Sequence, residues 1–124
     1  MKILIVEDEI LIQKSLQKLL ESKQVNVDAT ASGREAIKLI NTNDYDRIIC
    51  DLMLQDISGF DIIEESKNKY TPKEISHKFV IITAYSSPQV LEKASQYNCM
   101  LLNKPFDNIH QAIEVFMTIG SNLE

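Results

Sequence analysis

The chain has 124 residues, 44% of them hydrophobic and 25% charged, with three Gly and no Trp; this is ordinary usage for one globular domain with a real core, and it excludes disordered and fibrous classes. A net charge of -5 disfavours nonspecific contact with nucleic acid or anionic membranes, which needs a basic surface, and points to proteins and cations as partners. No run approaches transmembrane length, the opening apolar run is shorter than a secretory core, and Cys50 and Cys99 lie in apolar runs, so the expected location is cytoplasmic.

Lys2 to Val6 reads as a wholly apolar first strand. Leu11, Ile12, Leu16, Leu19 and Leu20 then recur at helical spacing between Glu9 and Ser22. Val25 to Ala29 is a short alternating strand, and Ser32-Gly33-Arg34-Glu35 carries the reciprocal capping pattern of a second helix with Ala36, Ile37 and Ile40 inward. After the polar turn from Asn41 to Asp46, Arg47-Ile48-Ile49-Cys50-Asp51 reads as a strand buried on both faces, the habit of parallel sheets covered by helices. A loop then closes at Gly59, and Phe60, Ile62 and Ile63 give a third helix its inner face. Thr71-Pro72-Lys73-Glu74 predicts one capped helical turn. Lys78 to Ile82 forms the fourth strand, ending at Thr83-Ala84, and Ser87-Pro88 opens a helix with Val90, Leu91 and Ala94 inward. Cys99 to Leu102 is the fifth strand. Beyond Lys104-Pro105-Phe106, Asp107 is expected to cap a last helix with Ile109, Ala112, Ile113 and Phe116 buried.

Five strands alternating with five helices describe an α/β fold: a flavodoxin-like, doubly wound, five-stranded parallel sheet of order 2-1-3-4-5, as one domain over residues 1–124. In that order strands one and three diverge at their carboxyl ends and leave a crevice. Glu7 and Asp8 end strand one and Asp51 ends strand three, so three carboxylates converge there. Their repulsion is naturally relieved by a hard divalent cation, best Mg2+; alternatively Glu7-Asp8-Glu9 serves the positive end of the first helix. Thr83 and Lys104, at the ends of strands four and five, are donors suited to phosphoryl oxygens, and small Ala84 lets main-chain N–H groups approach the same anion. Taken singly, Thr83 reads as a turn residue and Lys104 as a surface charge; it is the five groups together at the ends of four strands that point to one site.

Glu7-Asp8, Asp51, Thr83-Ala84, Lys104-Pro105-Phe106 and the interval from Asp51 to Gly59 together resemble the motif set of response-regulator receiver domains, over essentially the whole chain. The resemblance implies that Asp51 accepts a phosphoryl group from a phosphohistidine on a sensor histidine kinase or histidine phosphotransfer protein. It also implies that Glu7, Asp8, Asp51 and the main-chain carbonyl of Met53 hold Mg2+, that Thr83 and Lys104 bind phosphoryl oxygens, and that Lys104-Pro105 is often cis. The protein would then be a signalling switch rather than an enzyme for external substrates. Its output domain or protein would dock on the face of helix four, strand five and helix five in a five-helix count, with homodimerisation on phosphorylation left open. No direct nucleic-acid or membrane contact is implied.

The sequence departs from the family at Leu101, where many receivers place an aromatic switch residue, and at Gln55, where many have proline, which leaves that loop more unfolded-state freedom. Met53 and Tyr85 are bulky residues beside the acceptor and are expected to slow hydrolysis of the acyl phosphate. The competing enzyme reading, a Mg2+-dependent phosphohydrolase of small phosphate esters, wants a second acid two residues after the nucleophile, where Met53 stands. His77 and His110 lack metal-ligand spacing and read as surface residues; Asp56 and Asp61 read as solvated or as caps of the third helix. Whether the chain is a stand-alone receiver or one domain of a transcription factor, hybrid kinase or output enzyme stays open.

Overall fold

A computed structural model describes residues 1–118. Five parallel strands, β1 (Lys2–Val6), β2 (Asn26–Thr30), β3 (Arg47–Asp51), β4 (Phe79–Thr83) and β5 (Met100–Asn103), lie in the order β2-β1-β3-β4-β5, as expected. Six helices connect and flank them: α1 (Ile10–Ser22), α2 (Gly33–Thr42), α3 (Gly59–Ser66), α4 (Pro72–Lys78), α5 (Pro88–Gln96) and α6 (Ile109–Met117).

The alternation of a strand sends neighbouring side chains to opposite faces, and both faces are covered. Leu4, Val6, Ile48, Cys50, Phe79 and Ile81 point to one side, where they meet Ala36 and Ile40 of α2, Phe60, Ile62 and Ile63 of α3, Ile75 of α4 and Ala94 of α5. Ile3, Ile5, Ile49, Val80 and Ile82 point to the other, against Leu16 and Leu20 of α1 and Ala112, Ile113 and Phe116 of α6. Because the chain leaves β1 for one face and β3 for the other, the two strands part at their carboxyl ends while staying paired in register, Val6 opposite Cys50. That parting is where α/β sheets place ligands.

Several local expectations are corrected. The helix count is six, because the stretch after Thr71 is not a single turn: the reciprocal Thr71–Glu74 capping box, Pro72 in the first turn and buried Ile75 hold two turns that run straight into β4. Lys78 therefore ends a helix instead of opening a strand. Leu11 is 84% exposed, since α1 buries the stripe Gln13, Leu16 and Leu20 and Leu11 lies off it. Leu91 likewise faces solvent, the α5 stripe being Ala94 with Val90. Ser32 caps α2 by accepting from the Glu35 N–H, but Glu35 does not reciprocate; its carboxylate accepts from the Thr30 hydroxyl, which in turn accepts from the Ser32 N–H. Asn108, not Asp107, caps α6, accepting from the Gln111 N–H at 3.1 Å.

Candidate functional site

At the carboxyl edge of the sheet, β1 delivers Glu7 and Asp8, β3 delivers Asp51, and β5 delivers Lys104. The Lys104 N–H donates to the Thr83 carbonyl at 2.8 Å, and the peptide between Lys104 and Pro105 is cis. The lysine side chain reaches from the end of β5 to the acids that follow β1 and end β3. Its ammonium donates to Glu7 Oε1 at 2.9 Å, to Asp51 Oδ2 at 3.2 Å and to Glu9 Oε1 at 3.2 Å. Lys104 is therefore a buried ion-pair centre and not a surface charge.

Glu7 is fully buried. Its second carboxylate oxygen accepts from the Glu9 N–H at 2.9 Å, its own N–H donates to the Thr30 carbonyl at 3.0 Å, and its carbonyl accepts from the Gln13 amide at 2.8 Å. Burial pushes the Glu7 carboxyl up to about 7, against the Glu9 N–H and Lys104, which favour the anion. Burial works against the charged Lys104 too, but the hydrogen bonds to Glu7 and Glu9 and the nearby Asp51 and Glu7 charges outweigh it, and the ammonium is held above its ordinary range. The close approach of α3 fixes Asp51 from behind: a Cβ on Gly59 would lie 2.5 Å from the Asp51 carbonyl oxygen and 3.1 Å from the Leu52 Cα. The interval from Asp51 to Gly59 thus has a steric cause, since both neighbours are backbone and cannot move aside.

Glu7, Asp8 and Asp51 each offer a carboxylate oxygen, all within 4.8 Å of one another. Carboxylates gathered this closely repel one another, and a hard divalent cation such as Mg2+ held by all three would offset that repulsion. The donor chemistry fits: hard oxygens, net negative, with half-exposed Asp8 as the open side.

Other predicted residues lie nearby without joining this network. The Thr83 hydroxyl is buried and turned back on its own loop, donating to the Tyr85 carbonyl at 2.9 Å and accepting from the Tyr85 N–H at 3.0 Å. Ala84 follows it at the surface. Tyr85 is 65% exposed and Met53 60% exposed, while the Met53 N–H donates to Asp51 Oδ1 at 3.2 Å. Leu101 is half-buried against the side of the core that holds Phe60 and Ile81. His77 ends α4 and His110 lies exposed on α6, neither in an acidic or thiol cluster among the described residues. Asp61 completes the α3 capping box with Ser58. Asp56 caps α2 instead of α3: it accepts from the Arg34 and Gly33 N–H groups and from the Ser32 hydroxyl, which holds its carboxyl well below the usual range.

The sequence reading missed the reach of Glu9 to Lys104 and the bridge from Asp56 to α2. Both join residues far apart in the chain, and only the run of three acids from Glu7 to Glu9 hinted at the first.

A doubly wound parallel sheet with three carboxylates and one buried lysine gathered where β1 and β3 part defines an α/β protein with a charged site at its carboxyl edge. The family model "Response regulator receiver domain" matches residues 3–114, and the chain belongs to that family; it is a receiver domain of two-component signalling. Among curated relatives, the cell cycle response regulator CtrA of Brucella ovis is 40% identical over 63 residues, which is 51% of this chain and 27% of that protein. The chain thus aligns with about a quarter of the length of the curated relatives it matches. Among solved structures, the non-phosphorylated HemR receiver domain of Leptospira biflexa is 28% identical with a TM-score of 0.79, covering 92% of this chain and 90% of its own. The response regulator TrrA of Thermotoga maritima, solved in complex with Mg2+ and BeF, is 25% identical with a TM-score of 0.72, covering 94% of this chain and 98% of its own.

Proposed function

We propose that Asp51 is the phosphoacceptor, taking a phosphoryl group from a phosphohistidine of a sensor kinase or phosphotransfer protein. The observation that carries the reading is the Lys104 ammonium 3.2 Å from Asp51 Oδ2 beside a cluster of three acids. An Asp51 carboxylate oxygen attacks phosphorus in line, the phosphorus–nitrogen bond of the donor breaks, and its electron pair leaves on the imidazole. Lys104 neutralises phosphoryl oxygens as they turn toward the site. Glu7, Asp8, Asp51 and the main-chain carbonyl of Met53 are the set that would hold Mg2+, and bound there the ion would offset charge on the transferring group. Glu7 and Asp51 already use both carboxylate oxygens, so Asp8 is the freest ligand.

Thr83 enters as the switch: to reach a phosphoryl oxygen its hydroxyl gives up the two bonds to Tyr85, which pulls the β4–α5 loop toward the acid. In the present numbering the output surface is α5, β5 and α6. Leu101 has no ring to swing, so the readout there is a change of aliphatic packing. The phosphohydrolase reading gains nothing, because Met53 supplies no acid.

The test is intact mass after incubation with Mg2+ and acetyl phosphate. The wild type is expected to gain one phosphoryl mass that is lost with time and with chelator present from the start, and Asp51→Asn is expected to gain none. A modification that persists in Asp51→Asn would sink the assignment.

A further inference from the structure

The lysine at the centre of the site has more carboxylate partners than phosphoryl transfer requires. An ammonium has three N–H donors, and Lys104 spends them on Glu7, Asp51 and Glu9 at 2.9, 3.2 and 3.2 Å. A phosphoryl oxygen that approaches Lys104 must therefore displace one of them.

The three are not equally displaceable. Glu7 is wholly buried and pinned by the Glu9 N–H, and the Asp51 side chain is 3% exposed. Removing either from the lysine strips a buried carboxylate of its countercharge and leaves one of its oxygens without water or partner, which is costly. The Glu9 side chain is 62% exposed, so on leaving it regains full hydration at small cost, as exposed ion pairs do. Glu9 also has no competing duty: it stands at the start of α1 yet makes no side-chain capping bond there.

We propose that Glu9 is a positioning residue for phosphoryl uptake: it occupies the third donor of Lys104 in the resting site and cedes it to the incoming phosphoryl oxygen. The inference rests on Asp51 being the phosphoacceptor. Two consequences follow from charge alone. Glu9 holds Lys104 over the crevice in a pose ready for an anion, and its own negative charge penalises donors in proportion to theirs. The site therefore discriminates among small phosphodonors by charge, and Glu9 sets the threshold.

The experiment compares wild type, Glu9→Gln and Asp51→Asn at saturating Mg2+, with acetyl phosphate as the more highly charged donor and phosphoramidate as the less charged one, at low and at high salt. Glu9→Gln is expected to take up phosphoryl from acetyl phosphate roughly two- to fivefold faster at low salt, the range set by one exposed ion pair. The gain should be smaller with phosphoramidate and should fade near 1 M salt, where screening is short. An unchanged rate in Glu9→Gln, or a gain equal for both donors and all salt concentrations, overturns the proposal, the second because a structural loosening would act that way. A wild type that gains no phosphoryl mass instead overturns the phosphoacceptor reading on which this one depends.

Discussion

Two exposed residues flank the crevice in the chain, each two positions after a site residue, Asp51 and Thr83. Met53 and Tyr85 are each more than half exposed, but their backbones are fixed on either side of it, Met53 by its N–H on Asp51 and Tyr85 by both of its bonds with Thr83. If Asp51 carries the acyl phosphate as proposed, bulky side chains at these two positions would hinder the approach of water to it. Tyr85→Ala and Met53→Asn are each expected to shorten the phosphoryl lifetime by a few-fold, Met53→Asn also by offering a polar group to orient water. Loss of phosphoryl mass after donor removal measures this; identical lifetimes in both variants and wild type would dismiss the shielding role. The fold should be indifferent to either change, because both side chains lie largely in solvent.

At the scale of elements, the acceptor loop between β3 and α3 does not float. Asp56 fastens it to the start of α2 through Arg34, Gly33 and Ser32, and the Ile57 side chain lies 2.5 Å from where a Gly33 Cβ would stand. Movement of that loop is thereby coupled to α2. The folded carboxyl titrates below its ordinary value of 3.8, chiefly because the Arg34 and Gly33 N–H groups favour the anion. As pH falls the unfolded chain binds this proton first, so the stabilisation is complete above the ordinary carboxylate range and drains away below about pH 4. Asp56→Ala should cost on the order of 1 kcal/mol at neutral pH, the worth of a helix cap, with the deficit shrinking in acid. Faster amide exchange at Gly33 and Arg34 should accompany it. A deficit that stayed constant from pH 7 to pH 3 would contradict the capping account. This contact also marks what the sequence could and could not disclose about elements: Asp56 is a good cap wherever it points, and propensity favoured its own neighbour α3, whereas the choice of α2 depends on two loops meeting in space.

For the molecule as a whole, the sheet was legible because Ile3, Leu4, Ile5, Ile48, Ile49, Cys50, Val80, Ile81 and Ile82 leave no polar face along three central strands, and the site was legible because each of its groups follows a strand end. Less visible was the closure at the opposite edge. Arg47 reads in sequence as the polar start of an apolar run, yet it is buried, and its guanidinium donates to the carbonyls of His77 at 2.6 Å, Phe116 at 3.1 Å and Val115 at 3.4 Å, and to that of Thr118. Those carbonyls lie at the carboxyl ends of α4 and α6, where intrahelical donors run out, and a cation suits the negative end of a helix. One side chain at the start of β3 thus binds the ends of two helices that cover opposite faces of the sheet. Burial lowers its proton affinity, but a guanidinium stays charged. Arg47→Ala leaves several carbonyls without a donor and should cost on the order of 3 kcal/mol, read as a lower urea midpoint. Arg47→Lys should recover only part of it, because a compact ammonium cannot span carbonyls on two helices at once. If Arg47→Lys unfolded at the wild-type midpoint, charge at the helix ends would be sufficient and the planar fork would be irrelevant to closing the fold.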